Sequence, residues 1–94
     1  MKDHSDIVGK IFRHYKDKNY YVKNVAKDCE TLNDVVVYQA LYGDNQVWTR
    51  ELNDFFAEID PNKHDNVYHQ SHRFELVNFN SDTNFEGGIK KDLK

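Results

Sequence analysis

Apolar and polar positions alternate along most of this chain in short runs of strand length. Val8–Tyr15 (VGKIFRHY) is rich in β-branched and aromatic residues and ends on the polar turn Lys16-Asp17-Lys18-Asn19. Tyr20–Ala26 (YYVKNVA) resumes the pattern, so the two segments form a predicted β-hairpin. Lys27–Asp34 (KDCETLND) is polar and acidic and suits a loop. Val35–Tyr42 (VVVYQALY) is the most hydrophobic stretch. Both of its alternating faces are apolar, as in a central strand covered on both sides. Val37 and Leu41 lie on one face and Val36, Tyr38 and Ala40 on the other, so at least one set must be buried. Gly43-Asp44-Asn45 supplies a tight turn with residues that tolerate positive φ, and Val47–Arg50 returns as the partner strand.

Leu52, Phe55, Phe56 and Ile59 then recur at helical spacing, which predicts a short helix of two turns at most, stopped by Pro61. Asn62–His72 has no periodicity and reads as a polar loop; Arg73–Val77 (RFELV) is a last short strand. The pattern therefore predicts a mostly β protein: a small antiparallel, SH3-like, half-open barrel of about five strands with one short helix. Residues 1–7 form a polar N-terminal end, 8–77 a single β domain, and 78–94 a polar C-terminal tail too poor in apolar residues to order itself.

Composition changes this picture in three ways. The chain has 94 residues, enough for one core only, and 14% of them are aromatic, so large rings supply the burial that scarce Leu and Ile do not. The single cysteine, Cys29, excludes an internal disulfide, and no apolar run resembles a signal peptide or membrane span. A reducing cytoplasmic setting is expected, with no membrane association. Net charge is −3 but unevenly spread: residues 1–27 hold seven Lys/Arg against three Asp, whereas 28–60 hold eight Asp/Glu against Arg50 alone. A basic first segment joined to an acidic middle implies a polarised surface.

A set of fragments carries a resemblance: Gly9-Lys10-Ile11-Phe12-Arg13-His14-Tyr15-Lys16, Tyr21-x-Val, Glu30-Thr31-Leu32, Val36 through Asp44, Trp48-x-Arg50-x-Leu52, Phe55 and Arg73-Phe74. In this order the chain resembles a bacterial domain-of-unknown-function family, number sixteen fifty-three, from about Gly9 to Phe74. That family usually has His-Ser where Asp28-Cys29 stand, Pro at the place of Glu51, and a shorter connection than Asp60–His72. The resemblance implies fold and extent and carries no established activity.

Candidate chemistry falls into a few groups. Arg13, His14 and Lys16 interleave with Phe12, Tyr15, Tyr20 and Tyr21, an arrangement that can hold phosphates and stack bases. Phosphate neutralisation dominates such affinity and the chain is net acidic, so a solvated strand with core aromatics is preferred over nucleic-acid binding. Trp48 and Arg50 share a face beside Tyr38 and Tyr42, a platform for stacking or carboxylate recognition. The simpler alternative makes Trp48 a buried core anchor and pairs Arg50 with a carboxylate such as Glu30. Cys29 between Asp28 and Glu30 lacks the positive surroundings of a reactive thiolate. His64, His69 and His72 have no helical period and no Cys pair to complete a metal site, so they read as loop residues.

The sequence favours a non-catalytic binding or adaptor module for an anionic small ligand, peptide or protein partner, using Arg13, His14, Glu30, Tyr38, Trp48 and Arg50, with no metal and no cofactor. Two alternatives stay open: a small acid–base enzyme using His14 and Glu30, and an RNA-contacting module through the basic N-terminal hairpin. An enzyme requires His14 and Glu30 to meet in a concave site.

Overall fold

A computed structural model describes residues 4–77. Five strands and one helical turn follow in order: β1 (Ile11–His14), β2 (Lys18–Lys27), β3 (Asp34–Ala40), β4 (Val47–Glu51), α1 (Leu52–Phe55) and β5 (Phe74–Leu76). They form one antiparallel sheet in the order β4-β3-β2-β1-β5. Mostly β architecture, five strands and a short helix thus agree with the reading from sequence, as does the positive φ of Gly43 and Asn45 in the β3–β4 turn.

The sheet is strongly curled, and β2 carries the bend. Its pairing with β3 shifts between Val22 and Asn24, leaving Lys23 as an extra residue. Val22 lies opposite Tyr38 and Val25 opposite Val36, so two valines three positions apart face the same side. That concave side holds the core: Ile7, Phe12, Val22, Val36, Tyr38, Phe55 and Phe74, with Tyr20, Val25, Leu52 and Phe56 packed against it. Phe55 and Phe74 stack face to face at 4.0 Å, joining α1 to the far edge of the sheet.

The edge strands β4 and β5 do not pair. The gap is bridged by the chain after α1: Arg73 N–H donates to the Ala57 carbonyl at 2.8 Å and Ile59 N–H to the Ser71 carbonyl at 3.0 Å. These bonds explain why the helix is half the length expected from Leu52, Phe55, Phe56 and Ile59. Residues 57–59 give their backbone to the 71–73 segment and form a bridge between Glu58 and His72 in place of a second turn.

Three further expectations are corrected. β3 is covered on one face only: Val36, Tyr38 and Ala40 are buried, Val35 and Val37 partly so, and Leu41, just past the strand, is 46% exposed. The first strand starts at Ile11 rather than Val8, because Gly9 takes φ +82° and residues 4–9 turn on His4, whose carbonyl accepts the Ile7 and Val8 N–H groups. Ile7 is buried there and the His4 ring lies 3.1 Å from an Asp34 carboxylate oxygen, so this segment packs on the domain. The polar stretch 60–72 is a folded cap over the convex side of β1, built on buried Asn66 and Gln70. The tail assigned to 78–94 lies outside the described residues.

Candidate functional site

Strand register decides which residues share the concave face. Cross-strand partners in a sheet project to the same side. His14 pairs with Lys18 and Phe74, Tyr20 with Phe12 and Ala40, Tyr38 with Val22 and Trp48, and Arg50 with Val36. His14, Lys18, Tyr38, Trp48 and Arg50 therefore all face inward, around the unpaired gap between β4 and β5.

Arg50 lies at the centre of this seam. Its Nη1 donates to Asp54 Oδ2 at 2.6 Å, its Nε to the Tyr38 hydroxyl at 3.3 Å, and its guanidinium carbon lies 5.9 Å from the Phe74 ring centre. Arg73 reaches the same carboxylate from the other edge: Nη2 is 3.3 Å from Asp54 Oδ1, and Nε donates to the Asp54 carbonyl at 3.0 Å. One carboxylate thus serves two guanidiniums, both partly exposed, and leaves a positive balance. The expected partner Glu30 plays no part in this; Asp54 does, four residues on across the strand–helix junction.

Beside the two arginines the ring of His14 stands 4.9 Å from that of Phe74, edge to face. Its Nδ1 accepts the Lys16 backbone N–H at 3.1 Å, which leaves the proton of the neutral ring on Nε2. Burial, then the charges of Arg50, Arg73 and Lys16, hold the His14 pKa down at about 4, with Asp65 opposing them only as the smallest influence. The Tyr20 and Tyr42 hydroxyls are hydrogen-bonded to each other. Burial and that bond push the Tyr20 hydroxyl well above its ordinary value. The Lys18 ammonium sits 5.2 Å from the Tyr42 ring centre.

Trp48 is 51% exposed and Tyr42 is exposed as well, which overturns the expectation of a buried core anchor. The anchor role falls to Phe55 and Phe74, which are buried and stacked. β4 is an edge strand on the open side of the gap, so its indole has no covering layer.

Two of the residues singled out from sequence lie elsewhere. Arg13 faces the convex side, where its Nε donates to Gln70 Oε1 at 2.8 Å and its guanidinium stacks 4.0 Å from the Tyr68 ring centre. Glu30 is exposed in the loop after β2, whereas His14 pairs with Lys18 at the opposite end of that ten-residue strand. At about 3.3 Å per residue the strand spans roughly 30 Å, so His14 and Glu30 do not form an acid–base pair. Asp54, Arg73, Lys18 and Phe74 complete the site; by residue type Asp54 read as a helix-start carboxylate, Lys18 and Phe74 were not picked out, and Arg73-Phe74 was visible only as part of the family pattern.

Other chemistry is sparse among the described residues. Cys29 is free and exposed, and no group of three His, Cys, Asp or Glu side chains converges as for a metal. His69 Nδ1 bonds the Pro61 carbonyl at 2.8 Å, and His72 lies beside Glu75. Two hollows open away from the seam. One, of about 270 Å³, lies between Lys27, Leu32, Asp34 and Glu51, where Lys27 and Asp34 already pair at 2.8 Å. The other, of about 350 Å³, is an apolar groove between Ile7, Leu52 and Phe56. No helix among the described residues is long and apolar enough to cross a membrane.

Comparison with known proteins agrees with this architecture. The crystal structure of a DUF1653 protein from Bordetella bronchiseptica is similar, with a TM-score of 0.62 and 30% sequence identity over 77% of this chain and 88% of that one. No curated protein matches. The family model described as "Protein of unknown function (DUF1653)" matches residues 10–76, which contain every strand, the helical turn and all of the seam residues, and the chain belongs to that family.

Proposed function

We propose that the protein is a non-catalytic binding module that receives an anionic group of a ligand or partner at the β4–β5 seam. The observation that carries this reading is the concentration of positive charge around His14. Arg50, Arg73 and Lys16 all disfavour the imidazolium, and the carboxylate between the two guanidiniums cannot neutralise both. Arg50 and Arg73 retain donors beyond those used on Asp54 and Tyr38, and a guanidinium fork suits carboxylate or phosphate oxygens. A His with a pKa of about 4 is neutral at pH 7 and a weak general base there, which favours binding over catalysis.

The test is a nitrogen–proton NMR titration with inorganic pyrophosphate. Expected are shift changes centred on His14, Lys18, Arg50 and Arg73, lost in Arg50→Ala after correction for any unfolded fraction. Shift changes confined to the Lys27–Glu51 end, or none at all, contradict the proposal.

A further inference from the structure

Resting on that reading of the seam, we propose that the anionic partner is a single-stranded nucleic acid, whose bases stack on Trp48 and Tyr42 while its phosphates meet Lys18, Arg50 and Arg73. Three features of the seam narrow the anion to this class.

The first is that the exposed π surface and the cations share one face. Trp48 and Arg50 are two residues apart on β4, about 6.6 Å along the strand, and both point to the concave side. Tyr42 lies under the Lys18 ammonium, and Lys18 is the cross-strand neighbour of His14. An aromatic cluster alone would suit a cationic ligand, but Lys18, Arg50 and Arg73 repel one. Rings interleaved with positive charge match a ligand that alternates flat bases with phosphates.

The second is shape. Lys18, Tyr42 and Trp48 are exposed and form a surface strip along the sheet, beside the closure that joins residues 57–59 to 71–73. A strip binds an extended chain. A carboxylate-rich peptide would use the guanidiniums and leave the indole uncovered, whereas each base offers a face to it.

The third is the distribution of charge. The chain is net negative, yet Asp28, Glu30, Asp34 and Glu51 lie at the far ends of β2, β3 and β4, away from the His14–Lys18 end of the sheet. Among the described carboxylates Asp54 is the one paired with both Arg50 and Arg73; Asp65 lies 3.8 Å from the Lys16 ammonium, and Asp17 and Asp44 stand in the turns at the His14–Lys18 end. With two or three cations available to phosphates, binding is expected to be modest and the slope of log K against log salt to be about −1.4 to −2.1.

The experiment uses the full chain and its single tryptophan as reporter. Octathymidylate, an abasic oligomer of the same phosphate count, and polyglutamate are titrated at low salt. Expected is quenching of Trp48 by octathymidylate, with the abasic oligomer binding roughly tenfold or more weakly, since each stacked base contributes at least that factor at its middle range. Binding by the variants, which lack the reporter, is read from the fluorescence anisotropy of end-labelled oligomers: Trp48→Ala narrows the difference between the two oligomers to what Tyr42 supplies and leaves abasic binding unchanged, while Trp48→Phe restores most of it. Trp48 is exposed on an edge strand, so its variants keep the fold. Equal binding of the two oligomers, or polyglutamate binding as tightly as octathymidylate, overturns the nucleic-acid assignment and leaves the anion site standing. Failure of all three polyanions to bind overturns both.

Discussion

At the scale of single residues, energetic weight and chemical character separate cleanly. Phe55 is fully buried and touches Phe12, Tyr38, Phe56 and Phe74. Phe55→Ala is expected to cost about 3–5 kcal/mol. Leu41→Ala, at a half-exposed position, is expected to cost less than about 1 kcal/mol. Urea unfolding of both variants checks the pair, and a larger loss at Leu41 would contradict the burial. From sequence these two residues were hard to rank, because both sit in apolar runs and only the end of β3 decides that Leu41 leaves the sheet. Trp48 misled for the same reason: residue type suggested an anchor, and an unpaired edge left it in the open.

His14 gives the residue scale a pH signature. Its pKa is about 4 in the folded state against 6.5 unfolded, so the unfolded chain binds more protons between those values. Stability is therefore expected to fall as pH drops from 6.5 towards 4. Because the ring is partly solvated, the loss is on the order of 1–2 kcal/mol rather than the full shift. Thermal melts of wild type and His14→Gln across this range measure it; identical pH profiles for the two would contradict the depressed pKa.

Among the elements, β2 and the 60–72 cap carry what periodicity alone did not reveal. A strict alternation through Tyr20, Val22 and Asn24 would turn Val25 outward; the extra Lys23 returns it to the core opposite Val36. Deleting Lys23 leaves Val22 opposite Tyr38 and Val25 opposite Val36, so it removes the local bend and not the register. It is expected to lower the melting temperature while keeping a cooperative transition, whereas His64→Ala, at an exposed position, is expected to leave the melt unchanged. Circular dichroism melts distinguish the two, and a native-like melt for the Lys23 deletion would remove the bulge from the account. The cap has no apolar pattern because its core is polar. Gln70 donates to the Arg13 and His72 carbonyls and accepts from Arg13, and Asn66 bonds the Asp60 and Gln70 carbonyls. Gln70→Ala strands those buried groups and is expected to cost about 1–3 kcal/mol by urea unfolding. A cost near zero would mean that the cap does not depend on this amide. The hairpins, by contrast, were legible from turn residues and strand-length runs, since both signals are local.

For the molecule as a whole, fold class and strand number followed from the sequence because curled antiparallel sheets are built from short local pairings. The site followed only in part. His14, Tyr38, Trp48 and Arg50 were brought onto one face by register, while Arg73 and Asp54 arrive through a closure between distant segments that no local pattern encodes. The same closure turns a charge imbalance spread along the chain into a positive seam on one side and an acidic loop on another. Whether that seam receives an anion is decided most directly at His14, whose ring feels Arg50, Arg73 and Lys16. The measurement is the pKa of the His14 ring by proton NMR, with and without saturating pyrophosphate. Expected is a value near 4 in the free protein, rising towards 6.5 when a bound anion offsets Arg50, Arg73 and Lys16. A pKa that is ordinary in the free protein, or one that pyrophosphate leaves unmoved, would contradict an anion site at the seam.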